Sequence, residues 1–129
     1  MPAVLVVEYN ADFAQILCEV ARDVGFACSI ASSTDEALKA LHTSPKPPDF
    51  ILADVMVPGM SVQELLHAVR ASPALAKIRF GLMTAGFKDE VPDAPVDAIL
   101  KKPFTLEYLL TILRSALPPR GSGTPVPST

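Results

Sequence analysis

Short apolar runs alternate along the chain with stretches of helical periodicity. Ala3–Val7 (AVLVV) is a continuous, β-branched run, the pattern of a strand covered on both faces. After Asn10, a suitable N-cap, Phe13, Ile16, Leu17, Val20 and Val24 recur at helical spacing up to Gly25. FACSIA then reads as a second strand, with Phe26, Cys28 and Ile30 on one face. Ser33 and Glu36 form a capping box ahead of Ala37, Leu38 and Leu41. FILA is a third strand stopping at Asp54, and Pro58 and Gly59 keep the following stretch irregular. A second capping box, Ser61 with Glu64, opens a helix carrying Leu65, Leu66 and Val69, which Ser72-Pro73 closes.

IRFGLM (78–83) predicts a fourth strand with Thr84 just beyond it, and DAIL (97–100) a fifth. In the stretch between them, Gly86, Pro92 and Pro95 leave room for little more than one helical turn, so any helix there is short or irregular. The leucines at 106, 109, 110, 113 and 117 predict a last amphipathic helix, capped by Thr105 and stopped by Pro118-Pro119.

Strands alternating with helices imply right-handed crossovers, a parallel sheet and helices on both of its faces. The expected fold is α/β and doubly wound, with five strands over residues 1–117 and a Pro/Gly/Ser-rich tail or linker at 118–129. In such sheets a ligand binds beyond the carboxyl ends of the strands, where the strand order reverses. Glu8, Asp54, Thr84 and Lys102 all fall at those ends.

Composition narrows the function. The 129 residues hold 11 basic and 14 acidic side chains, for a net charge of -3, with no Lys/Arg cluster of the kind that tracks a phosphate backbone. Direct nucleic-acid binding is not expected. Apolar runs of about five residues fall well short of the roughly 20 that span a bilayer, and no basic-then-apolar leader follows Met1, so a cytoplasmic protein without membrane attachment is expected. Cys18 and Cys28 lack zinc-ligand or CxxC spacing and read as two small buried hydrophobes kept reduced. His42 and His67 fall on helices away from the strand ends and read as surface residues.

Taken singly, each strand-end polar residue has a structural explanation. Together they can receive a phosphoryl group: a carboxylate attacks, a hydroxyl and an ammonium hold the transferred oxygens, and a divalent cation offsets the charge. VLVVE, PDFILADVMVPGM, LMTA and KKPF resemble the receiver domain of bacterial two-component response regulators, over about residues 3–117. The thirty residues from Asp54 to Thr84 suit that family. The resemblance implies a flavodoxin-like sheet in the order 2-1-3-4-5. It implies Asp54 as phosphoacceptor, Thr84 as switch hydroxyl and Lys102 as the phosphate-pairing lysine before a cis Pro103. It also implies Mg²⁺ held by Glu8, Asp54 and the backbone carbonyl of Met56.

The chain departs from the family in four places. Tyr9 stands where receivers carry a second acid, usually a direct Mg²⁺ ligand; a neutral phenol is a poor replacement, so Mg²⁺ should bind weakly or be absent. Ile99 stands where a switch Tyr or Phe is usual, and Ser61-Val62 replaces the common Asp-Gly. From Thr84 to Lys102 is 18 residues, about one helical turn short, which truncates the fourth helix and leaves 86–96 as a loop. The implied function is a receiver phosphorylated on Asp54 by a histidine kinase or phosphotransfer protein, which signals by docking to a downstream protein. The competing reading is a pseudo-receiver, a binding module that works unphosphorylated. A turnover enzyme would need a further acid/base, a substrate pocket or a phosphate-cradling loop, and none is legible.

Overall fold

The computed structural model describes residues 1–85 and 95–118. Its elements run β1 (Ala3–Val7), α1 (Ala11–Val24), β2 (Ala27–Ala31), α2 (Thr34–Thr43), β3 (Phe50–Asp54), α3 (Val62–Ala71), β4 (Arg79–Thr84), β5 (Ala98–Lys101) and α4 (Leu106–Ala116). The five strands are parallel, in the order β2-β1-β3-β4-β5. The expected truncated helix between β4 and β5 falls mainly on residues 86–94, which lie outside the described residues.

The strands read as continuous apolar runs because both faces of the sheet are covered. On one face Leu5, Val7, Ile51, Ala53 and Leu82 pack with Ala37 and Leu41 of α2 and with Leu65, Leu66 and Val69 of α3. On the other, Val4, Val6, Leu52, Met83 and Leu100 pack with Leu17 and Cys18 of α1 and with Leu109 and Leu113 of α4. The edge strands are the exceptions: Ile30 of β2 and Ile99 of β5 are exposed, and Phe26 is buried just before β2 begins.

Each helix starts where a side chain satisfies an orphan amide. Asn10, Ser33, Ser61 and Thr105 accept hydrogen bonds from the amides of Phe13, Glu36, Glu64 and Tyr108. The capping box of α2 closes differently from expectation. Glu36 reaches back past Ser33, and both the amide and the hydroxyl of Ser32 donate to its carboxylate.

The cysteines overturn the sequence expectation. Cys18 and Cys28 form a disulfide between α1 and β2, with Cα atoms 5.5 Å apart, and are not two reduced thiols. The reason is tertiary: α1 folds back over β2, which brings the inner face of the helix and the second residue of the strand to bonding distance. Ten residues of separation carry no sign of that.

Candidate functional site

β1 and β3 are neighbours at the point where the strand order reverses, and the residues at their carboxyl ends form the crevice. Asp54, the last residue of β3, is 4% exposed. Its Oδ1 accepts a 2.8 Å hydrogen bond from the Met56 amide, and its Oδ2 is paired with the ammonium of Lys102. Lys102 follows β5 and reaches back across the rim; its own amide donates to the Thr84 carbonyl at 2.7 Å. Thr84 ends β4 and is buried at the same rim. The Lys102–Pro103 peptide bond is cis.

Glu8 follows β1 and is 6% exposed. One of its oxygens, Oε2, accepts from the Asn10 amide at 3.0 Å, while Oε1 is buried and has no hydrogen-bond partner among the described residues. Burial pushes its carboxyl above the usual 4.5, and the nearby Asp54 carboxylate pushes it further; the Asn10 amide and the Lys102 ammonium oppose both. Tyr9 is 68% exposed. Its phenol is thus directed to solvent and does not take up the buried position an acid would need.

Divalent-metal chemistry can be tested against these residues. Glu8 and Asp54 supply two carboxylates, and the unpartnered Oε1 is a ready oxygen donor. Among the described residues no group of three His, Cys, Asp or Glu side chains could hold an ion. Two carboxylates, one with a buried oxygen left open, are compatible with one Mg²⁺ that has few protein ligands and keeps most of its water.

Sequence reasoning missed two neighbours of Lys102. The Phe13 ring, on the first turn of α1, lies with its centroid 5.3 Å from the Lys102 ammonium. Phe104 packs against Phe13 with ring centroids 6.3 Å apart, and the two phenylalanines line a groove of about 460 Å³ with Lys102 and Pro103. Phe13 is partly buried against the core, as its helical period predicts, and no local signal shows that its ring also meets a cation. Two other singled-out positions, Ile99 and Met56, contribute no side chain to the crevice. Ile99 is 39% exposed on β5, where its carbonyl accepts from the Tyr108 hydroxyl of α4 at 3.1 Å. The Met56 side chain is 74% exposed, so only its backbone faces Asp54.

The parallel order β2-β1-β3-β4-β5, with helices on both faces, is a flavodoxin-like doubly wound sheet. The chain is similar to the chemotaxis protein CheY of Pseudomonas aeruginosa, 32% identical over 111 residues that cover 82% of this chain and 88% of that protein. It is also 32% identical over 113 residues to a response regulator receiver protein of Anaeromyxobacter, covering 84% of this chain but 45% of that longer protein. Among solved structures, chemotaxis response regulator CheY4 of Vibrio cholerae superposes with a TM-score of 0.80 at 27% identity, over 91% of this chain and 99% of that one. No family model matches the chain. The chain belongs to the receiver family of two-component response regulators.

Proposed function

We propose that this receiver accepts a phosphoryl group on Asp54 from the phosphohistidine of a histidine kinase or phosphotransfer protein, and signals by docking to a downstream protein. An Asp54 oxygen attacks phosphorus, the P–N bond to the donor imidazole breaks, and its electron pair leaves on the ring nitrogen. Lys102 neutralises charge on the transferred oxygens, and Thr84 supplies a hydroxyl at the same rim. The observation that supports the reading most is the pairing of Asp54 with Lys102 beside buried Glu8.

Mg²⁺ would be held by Glu8, Asp54 and the Met56 carbonyl, and when bound it supplies positive charge to the transferred phosphoryl group. With Tyr9 in place of an acid, the affinity is low. We assign the receiver to residues 1–117 and a tail or linker to 118–129. No helix among the described residues is long and apolar enough to cross a membrane. The proposed setting is the cytoplasm, where the phosphodonors of two-component systems act.

The exposed Tyr9 favours a second reading, a pseudo-receiver that binds partners without being phosphorylated. Intact-mass measurement after incubation with acetyl phosphate and Mg²⁺ decides between them. The expected result is one added phosphoryl group, absent from Asp54→Ala; no addition to the wild type would favour the pseudo-receiver.

A further inference from the structure

The crevice is held from α2, an element that contributes none of the crevice residues themselves. Thr34 is the first residue of α2, immediately after its N-cap Ser33, and is fully buried. A first-turn amide has no acceptor within its own helix, so it is available to another segment. The Thr34 amide donates to the Pro58 carbonyl at 3.1 Å. Its hydroxyl donates to the Met60 carbonyl at 2.6 Å, with the Pro58 carbonyl a longer alternative at 3.2 Å. One residue thus binds two carbonyls of the loop that links β3 to α3.

That loop begins at Asp54, and its near end is fixed by the Met56 amide on Asp54 Oδ1. Packing between loop and helix is tight. Gly59 has φ of +100°, and a Cβ there would lie 2.6 Å from both the Thr34 hydroxyl and an Asp35 carboxylate oxygen. The loop is also held at its start, where the Val55 amide donates to the Met83 carbonyl at 3.0 Å, so it is tied at 55, 56, 58 and 60, and the two ties further along come from Thr34.

We propose that Thr34 is a positioning residue for Asp54. By fixing the loop at 58 and 60 it keeps the Met56 amide on Oδ1, so that the carboxylate stays oriented between that amide and Lys102. The functional side of this rests on the reading of Asp54 as phosphoacceptor. A nucleophile in an in-line displacement gains rate from fixed orientation, and a carboxylate free to rotate loses it.

The test compares Thr34→Val, which keeps the shape and removes the hydroxyl, with Thr34→Ser, which keeps the hydroxyl. Two readouts are taken well below each variant's melting temperature: hydrogen exchange of the Met56 amide, and the rate of Asp54 phosphorylation by acetyl phosphate. Thr34→Val is expected to exchange the Met56 amide about tenfold faster and to slow phosphorylation, with both returning toward wild type in Thr34→Ser. A purely structural role would lower the melting temperature and leave both readouts unchanged, which would overturn the proposal. So would exchange that accelerates equally in the two variants. Should Thr34→Val not fold, Thr34→Ala is compared with Thr34→Ser under the same criteria. If the wild type takes up no phosphoryl group, the phosphoacceptor reading fails, and the Met56 exchange still decides whether Thr34 holds the loop.

Discussion

Lys102 reaches across the carboxyl edge of the sheet to pair with Asp54, 48 residues away in the chain, and among the described residues the buried Glu8 has no ion-pair partner of its own. Among the described residues the crevice thus holds two carboxylates and one ammonium. Its energetics follow from that imbalance.

Removing the ammonium leaves Asp54 buried beside Glu8 with no counter-charge among the described residues. Lys102→Met is expected to destabilise the domain by about 1–2 kcal/mol at pH 7. That is less than the 3–5 kcal/mol typical of breaking a fully buried pair, because about a third of the Lys102 side chain is in water. Urea unfolding of the two proteins measures it. A Lys102→Met variant as stable as wild type would show that the pair contributes nothing net.

Glu8 makes stability depend on pH in a stated direction. Its carboxyl titrates above 4.5 in the folded chain, so between the unfolded and folded values the native state binds more protons than the unfolded one. Stability then falls as pH rises through that window, and the loss is complete above the folded value. Glu8→Gln does not titrate. The stability difference between wild type and Glu8→Gln should therefore move against the wild type as pH increases from about 4 upward. A difference that stays flat with pH would show that Glu8 is not perturbed.

Tyr9→Asp adds a carboxylate at the residue following Glu8, at the mouth of the crevice. Mg²⁺ affinity is expected to rise at least about fivefold, since one added unit charge near 4 Å is worth about 1 kcal/mol even in water. Titration of both proteins with Mg²⁺ checks this. Equal affinities would show that Tyr9 is not what limits binding, and that another group, such as the exposed Asp12, compensates.

The disulfide closes a short loop, with a separation of 10 residues. Reducing it should cost about 2–3 kcal/mol on the chain-entropy account. Thermal unfolding with and without a dithiol reductant measures the loss, with Cys28→Ser as the control that no longer responds. A wild type insensitive to reductant would mean that the bridge is absent in solution.

Much of the fold was legible because its causes are local. Unbroken β-branched runs can be satisfied only by a sheet covered on both sides, and the four caps are set within three residues of each helix start. Alternation of strand and helix then led to parallel crossovers. The carboxyl-end rule brought Glu8, Asp54, Thr84 and Lys102 to one rim. The strand order itself came from resemblance to a family, since periodicity does not choose among neighbours.

What only the tertiary structure decided are the choices between partners. Lys102 had two acids within the crevice and took Asp54; Phe13 had the helical period of a core residue and lies beside a cation; Cys18 and Cys28 looked like separate apolar fillers and are bonded. Thr34 reads as an ordinary first-turn residue, yet its hydroxyl meets a carbonyl 26 residues further along. Periodicity and capping are properties of a few consecutive residues and are written in the chain at that range. The partner of a buried polar or sulfur atom depends on which distant segment packing brings within about 3 Å, and that is fixed only once the helices have docked on the sheet.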